Sequence, residues 1–308
     1  MLGAAGFIGR WVARALCAQG AEVTLVVRPR TAVEEMFARY SVHGEVVAAN
    51  LFDPAIVRAL FREARPTITF NLAGYGVDRS EHDPASAYRI NADLVRTMCD
   101  AVGTLRNPGW AGQHVVHAGS AAEYGRIGGD LAEDSVPRPT TTYGRSKLAG
   151  TYLLARGRRH GGVRGFAARL FTVYGPGEHD DRLLPSLLRA AAAGDPLSLT
   201  AGQQKRDFTY VEDVAAGLLR LGVVASPGGI VNLSTGRLTS VRVFAETAGE
   251  ILRLDPDRLR FGMRPDRSDE MEHDEVALER LRRLVAWIPP TGIAEGIRRS
   301  VQFERRQA

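Results

Sequence analysis

Short runs rich in β-branched residues, EVTLVV (22–27), EVVAAN (45–50), TITFNL (67–72), HVVHAG (114–119) and GFAARLF (165–171), alternate with longer segments of helical periodicity at about 8–19, 54–64, 85–103 and 142–159. Parallel strands cannot be joined by a tight turn, so strand, amphipathic helix and strand in succession is the signature of crossover units. The pattern predicts a doubly wound parallel α/β sheet. Asp53-Pro54 marks one helix start, an acidic cap followed by a residue with a helical φ and no amide to satisfy.

After about 175 the rhythm changes to GPGEHDD, a helix LLPSLLRAAAAG, a short strand PLSLT and then RDFTYVEDVAAGLLRLG. Further strands, GIVNLS and LRFGM, and helices near 240–252 and 274–283 predict a smaller C-terminal α/β lobe. The division expected is 1–174 for the sheet domain, with sheet contributions from about 205–235, and 175–308 for the lobe. Such a lobe normally closes over the carboxyl ends of the strands, where open α/β sheets bind ligands.

The 308 residues, 44% hydrophobic and 24% charged, suffice for a large core and exclude low-complexity or mainly disordered classes. No apolar run reaches the roughly 20 residues that cross a bilayer, and the N-terminus lacks the charged start of a secretory signal, so no membrane association is expected. Two cysteines, Cys17 and Cys99, form neither a disulfide framework nor a zinc site by themselves. A reducing, cytoplasmic setting follows as the expectation. The net charge of +5 comes mainly from arginines interleaved with acids along helices, as in LERLRRL, and not from one basic stripe, which argues against a nucleic-acid partner. Seven histidines contain no HExxH pair, and no metal site is expected.

Two motifs carry chemistry. Gly3-Ala-Ala-Gly6-Phe7-Ile8-Gly9 is a glycine turn opening a helix, which lets backbone approach a pyrophosphate where free amides and the helix dipole favour negative charge. Only Met1 and Leu2 precede it, so the central first strand is almost absent: either the start is truncated relative to the gene, the favoured reading, or the protein lacks a strand whose loss exposes two ladder edges. Tyr143-Gly-Arg-Ser-Lys147 places tyrosine and lysine on one helix face, where the ammonium is expected to lower the phenol's pKa and fit it for acid–base work. Ser120, at the end of HVVHAGS, is placed to hold a substrate oxygen.

Together with NLFD, NLAG, RINADLV, GSAAEYG, RLFTVYGPGE and KRDFTYVEDVA, these motifs resemble, over nearly the whole chain, the extended short-chain dehydrogenase/reductases, the NAD(P)-dependent nucleotide-sugar epimerases, dehydratases and ketoreductases. The resemblance implies a Rossmann-type sheet for NAD(P), a lobe for a nucleotide-diphosphate sugar and a catalytic Ser120, Tyr143 and Lys147. It assigns cofactor contacts to Gly3, Gly6, Phe7, Ile8, Gly9, Asn50, Leu51, Leu72, Ala73, Gly74, Asn91, Tyr143 and Lys147. Substrate contacts fall on Ser120, Ala121, Thr172, Arg206 and Arg264. Paired helices at 85–103 and 142–159 imply a homodimer.

Departures from the family pattern narrow the class. Arg28 stands where NAD-preferring members carry an acid for the ribose 2′-hydroxyl, and a guanidinium suits a 2′-phosphate, so NADP is expected ahead of NAD. Ala121 and Ala122 stand where dehydratases carry Asp-Glu, which disfavours dehydration and leaves Glu123 as a candidate acid. The G-S-x-x-E-Y-G form resembles 4-keto-6-deoxyhexose reductases. Thr172 replaces the usual asparagine before V-Y-G-P, Asp207 is expected to orient Arg206, and Asp213 to cap a helix over 214–221. Trp287 reads as core. The expected activity is reduction of the 4-keto group of a nucleotide-activated, 6-deoxy sugar. Alternatives are an NAD-dependent 4-epimerase and, in another class, a non-catalytic dinucleotide-binding regulator.

Overall fold

A computed structural model describes residues 1–76, 80–105, 109–265 and 273–306. The predicted strands appear in shortened form as β1 (Thr24–Val27), β2 (Glu45–Ala48), β3 (Thr69–Asn71), β4 (Val115–Ser120) and β5 (Gly165–Leu170). The chain continues through β6 (Thr172–Tyr174), β7 (Leu197–Ser198), β8 (Lys205–Tyr210), β9 (Gly228–Leu233), β10 (Leu238–Ser240) and β11 (Leu259–Arg260). The helices are α1 (Phe7–Ala18), α2 (Glu34–Arg39), α3 (Pro54–Ala64), α4 (Pro84–Tyr88), α5 (Leu94–Thr104), α6 (Thr142–Gly161), α7 (Leu183–Ala193), α8 (Val211–Val223), α9 (Val241–Leu252), α10 (Glu279–Val285) and α11 (Ile293–Arg305).

Strands β1 and β2 pair in parallel, as do β3, β4, β5 and β9 in that order. The expectation of two open edges between these groups is overturned by Leu2, which bridges Val26 on one side and Asn71 on the other. Its amide donates to Phe70 O at 2.9 Å and its carbonyl accepts from Leu72 N at 3.0 Å, while Val26 N donates to Met1 O at 2.9 Å. One extended residue has a donor, an acceptor and a side chain, which is enough to join two ladders where it is flanked by the glycine turn. The sheet therefore runs β2, β1, Leu2, β3, β4, β5, β9, and the direction of winding reverses at Leu2, where such folds open a ligand crevice.

Both faces of the sheet are buried along its interior strands, while β2 at the edge is largely exposed. Leu25 and Val27 of β1 face one core with Trp11 and Val12 of α1 and Val214 and Leu218 of α8, whereas Val26 faces the other with Val57, Leu94, Val95 and Met98. This period-two partition explains why the strands are apolar throughout rather than alternating. At the carboxyl end, β8 pairs with β6 in parallel and with β10 antiparallel, and β7 pairs with β11. Residues of α7, α9 and α11 extend the first core into this region through Leu184, Phe244 and Ile297.

Several local expectations are corrected. The helix predicted over 85–103 is interrupted at Arg89–Asp93 by a π turn, a one-residue insertion that hydrophobic periodicity does not register. Helix α8 starts at Val211, so Asp213 lies inside its first turn and its carboxylate instead accepts Thr291 N at 2.8 Å, tying down the segment before α11. The segment LRFGM contributes only two strand residues, and the helix expected near 274–283 is α10, displaced toward the C-terminus. Trp287 packs half-buried against the first core, beneath Arg220 at 5.2 Å.

Candidate active site

The glycine turn folds tightly because side chains are excluded from it. A Cβ on Gly3, whose φ is +76°, would come within 2.7 Å of Ala73 N and 2.8 Å of Leu72 C, so the backbone beyond β3 can lie directly on the turn. Leu72, Ala73 and Gly74 are thereby brought beside Gly3, Gly6 and the start of α1. Gly6 occupies the N-cap with no side-chain hydrogen bond, and the first turn of α1 carries no acid. The amides of Phe7, Ile8 and Gly9, which a helix cannot satisfy internally, therefore face outward as a donor set suited to a diphosphate. These residues fit a dinucleotide.

Across the crevice, β4 ends at Ser120, and a short 3₁₀ turn, Ala121–Glu123, follows. Ser120 Oγ accepts from Ala122 N at 3.2 Å, and Glu123 reaches back to Ser120 N at 2.9 Å, a reciprocal capping box. Helix α6 begins one residue before Tyr143, with Thr141 capping Gly144 N at 3.0 Å. Gly144 is the residue that permits the approach, since a Cβ there would lie 2.3 Å from Ala122 O. The helix start thus settles on the 3₁₀ turn, and the Ser120 hydroxyl shares a hydrogen bond with the Tyr143 phenol.

Lys147 follows one turn later and is buried. Burial pushes its pKa down to about 8, opposed by the Glu123 carboxylate. The phenol behaves contrary to expectation. Burial dominates and raises Tyr143 to about 12, helped by Glu123 and Glu81 and resisted by the Ser120 hydrogen bond and Arg182. Tyr143 therefore holds its proton at neutral pH.

Glu123 is not a free acid. Its Oε2 accepts from Arg169 Nε and from Thr151 Oγ1, each at 3.0 Å, in a pocket where both charged side chains are essentially sealed from solvent. Arg169 also stacks over the Tyr124 ring at 4.2 Å, and Tyr124 donates to Asn232 Oδ1 at 2.7 Å. The ion pair locks β4, β5, β9 and α6 together below the site. Both oxygens of this carboxylate are engaged, Oε1 by Ser120 N and Oε2 by Arg169 and Thr151.

Asn91 sits in the π turn, fully buried, with both amide hydrogens spent on Tyr75 O at 2.8 Å and Ser146 Oγ at 2.9 Å, while Oδ1 accepts Tyr75 N at 3.0 Å. It holds the loop beside Gly74, and this geometry favours a positioning role over the cofactor contact implied by the resemblance. Asn50 Oδ1 is occupied by Phe52 N at 3.1 Å, leaving its amide nitrogen exposed beside Leu51. Asp207 does not hold Arg206: its Oδ1 accepts Thr235 N at 2.9 Å and the hydroxyls of Thr235 and Thr209 at 3.0 Å. Arg206 stands half-buried on β8 opposite Thr239, and Thr172 opens β6 opposite Phe208. Arg264 extends the β7–β11 pair by its backbone, N to Leu199 O at 3.0 Å, with an exposed side chain. Arg28, just beyond β1, donates to Glu81 Oε1 at 3.1 Å.

Sequence reasoning passed over Arg182, Glu81, His117 and Glu178. Arg182 precedes α7 as its N-cap residue, where a cation opposes the helix dipole, and that local conflict was the legible signal. His117 on β4 is sealed beneath Lys147 and held neutral by burial, with Nδ1 3.1 Å from Asn71 Nδ2. The Glu178 carboxyl, on the loop that precedes α7, is pushed up to about 8 by burial. Among the described residues no group of three or more His, Cys, Asp or Glu could hold a metal, and no helix is long and apolar enough to cross a membrane.

A glycine-lined, uncapped helix start facing a Ser-Tyr-Lys cluster defines a dinucleotide-dependent oxidoreductase site. The chain belongs to the NAD dependent epimerase/dehydratase family, whose model matches residues 1–234. It is 30% identical over 97% of its length to dTDP-6-deoxy-L-talose 4-dehydrogenase (NAD(P)(+)) of Kitasatospora kifunensis, covering 92% of that protein. It is 29% identical to UDP-glucose 4-epimerase of Mycolicibacterium smegmatis, over 99% of this chain and 98% of the other. The structure of MoeE5 in complex with UDP-glucuronic acid and NAD superposes with a TM-score of 0.84 at 27% identity, covering 100% of this chain and 98% of that one.

Proposed function

We propose that this enzyme reduces the 4-keto group of a nucleotide-activated, 6-deoxy sugar with NADP as the preferred cofactor. The observation that carries the reading is the state of the acid–base groups: Tyr143 is hydrogen-bonded to Ser120 and raised to about 12, while Glu123 is consumed by Arg169 and Thr151. A phenol that keeps its proton beside a second hydroxyl is suited to protonate a developing alkoxide. Gly3, Gly6 and the amides opening α1 would hold the dinucleotide diphosphate, with Leu72, Ala73 and Gly74 lining the crevice and Lys147 near the ribose. When bound, the cofactor supplies the hydride. Ser120 holds the ketone oxygen, Tyr143 donates its proton to that oxygen as it becomes an alcohol, and Lys147 supplies positive charge behind the phenol. Arg206, and in a lesser role Arg264, meet the diphosphate of the sugar nucleotide, since guanidinium groups recognise phosphate oxygens bidentately. The likeness to a 6-deoxysugar 4-dehydrogenase, the same interconversion viewed from the alcohol, supports the substrate class.

A second reading, an NAD-dependent 4-epimerase, is favoured by the engagement of Arg28 with Glu81 and by the likeness to a UDP-glucose 4-epimerase. Releasing nucleotide from the purified protein with acid and titrating NADPH and NADH by fluorescence separates the two: reversible NADPH binding is expected, and tightly retained NAD overturns the reductase in favour of the epimerase. Tyr143→Phe is expected to keep cofactor binding and abolish turnover, whereas wild-type protein that binds cofactor and turns over no keto sugar points to a regulator. A homodimer through α5 and α6, which pack on each other and leave Tyr152 53% exposed, belongs to the same proposal.

A further inference from the structure

The acid–base chemistry at Tyr143 makes no use of the ion pair between Arg28 and Glu81. Arg28 is the first residue after β1, the position from which a doubly wound fold reads the adenosine ribose, and its side chain is 75% exposed. Glu81 is 14% exposed and engaged at both oxygens: Oε1 takes Arg28 Nη2 at 3.1 Å and Oε2 takes Gly76 N at 2.7 Å. Gly76 lies against the Tyr143 ring, since a Cβ there would sit 3.3 Å from Cδ2. The carboxylate is thus fastened to the turn beside Tyr143 and cannot follow Arg28 without releasing that turn. Glu81 also acts on Tyr143 through its charge, so the pair links the ribose-reading strand end to the proton donor.

We propose that Glu81 sets the discrimination between phosphorylated and unphosphorylated dinucleotide, by competing with the ribose 2′-phosphate for Arg28. The inference rests on the reading of Arg28 as the residue that meets the adenosine ribose. A guanidinium can pair with a carboxylate or a phosphate, and whichever anion it already holds reduces its attraction for the other. A 2′-phosphate must draw the Arg28 guanidinium away from the Glu81 carboxylate or share it. A 2′-hydroxyl carries no charge and leaves the pair intact. Arg28 therefore favours NADP, Glu81 penalises it, and NAD is indifferent to both.

The test compares NADPH and NADH dissociation constants for the wild type, Glu81→Gln, Arg28→Ala and the double variant. Glutamine keeps an oxygen for Gly76 N, so the turn is retained while the charge is removed. Glu81→Gln is expected to tighten NADPH about two- to fivefold, the range for a partly exposed charge pair, with the gain shrinking at high salt. NADH affinity is expected to stay unchanged in every variant and serves as the check on folding. Arg28→Ala is expected to weaken NADPH and to erase the effect of the second substitution. If Arg28→Ala weakens NADPH but Glu81→Gln does nothing, the reading of Arg28 stands and the competition is overturned. If Arg28→Ala leaves NADPH unaffected, both fall. Equal changes in NADPH and NADH on Glu81→Gln, or a gain that persists without Arg28, also overturn the proposal.

Discussion

Two buried titratable residues have consequences that pH alone reads out. Lys147 is lowered to about 8 by burial, so its charge behind Tyr143 is present below that pH and lost above it. The rate constant kcat/KM for ketone reduction is expected to decline above about pH 8, approaching a ~tenfold loss per unit, while Tyr143, raised to about 12, remains a competent acid throughout. Lys147→Arg is expected to flatten this limb, because a guanidinium does not titrate there. Glu178 concerns stability instead. Its pKa rises from 4.5 in the ordinary range to about 8 in the fold, and Oε2 is buried with no hydrogen-bond partner among the described residues. Between those values the folded form binds more protons than the unfolded one, so this group makes stability fall as pH rises from about 4.5 to about 8. Glu178→Gln removes that slope, and thermal melts from pH 5 to about pH 9 are expected to show the variant gaining on the wild type as pH increases.

At the scale of the element, α6 carries the two residues to which the proposed chemistry is assigned, Tyr143 and Lys147, and its placement relies on a residue with no side chain. Gly144→Ala puts a methyl group 2.3 Å from Ala122 O, a backbone atom that cannot turn aside. The helix start must lift off the 3₁₀ turn, carrying Tyr143 away from Ser120. Because misplacement of about 1 Å can cost ~10²-fold in rate, activity is expected to drop by that order while circular dichroism stays native. Retained activity in this variant would show that the helix start can move without consequence. The π turn at Arg89–Asp93 makes the complementary point. It turns Asn91 inward to grip Tyr75 and Ser146, and thereby fixes the loop that bears Gly74 and Gly76.

At the scale of the whole molecule, the sheet is continuous because Leu2 joins two halves that would otherwise be separate. Its side chain is 1% exposed among Val26, Ala49, Val57 and Leu94. Leu2→Ala deletes buried methyl groups at the junction and is expected to cost about 2–5 kcal/mol, read as a lower urea midpoint at unchanged m. A cost below that range would mean that the junction rests on the backbone bonds of residue 2 and not on its side chain. The second tie across the molecule runs from α1 to the loop after β6, where Trp11 Nε1 donates to Pro176 O at 3.0 Å and Arg10 Nη2 to Gly177 O at 2.6 Å. The helix that offers its amides to a dinucleotide is thus braced against the segment carrying Glu178 and Arg182, both of which lie on the route into α7.

The amino-acid sequence by itself determined the elements and the reactive groups. Short runs of β-branched residues, Asp53-Pro54, the glycine turn and the spacing from Tyr143 to Lys147 are local, and local sterics and hydrogen bonding set their outcome. Which groups would be free to act was decided only by the tertiary structure. Glu123 and Asn91 looked available, and Asp207 was expected to orient Arg206, because their partners, Arg169 with Thr151, Tyr75 with Ser146, and Thr235 with Thr209, are distant along the chain or hidden by a helical register shift. The acidity of Tyr143 went the opposite way to expectation for the same reason: desolvation depends on what the whole fold packs around a group, and here it outweighs the Ser120 hydrogen bond and the charge of Arg182.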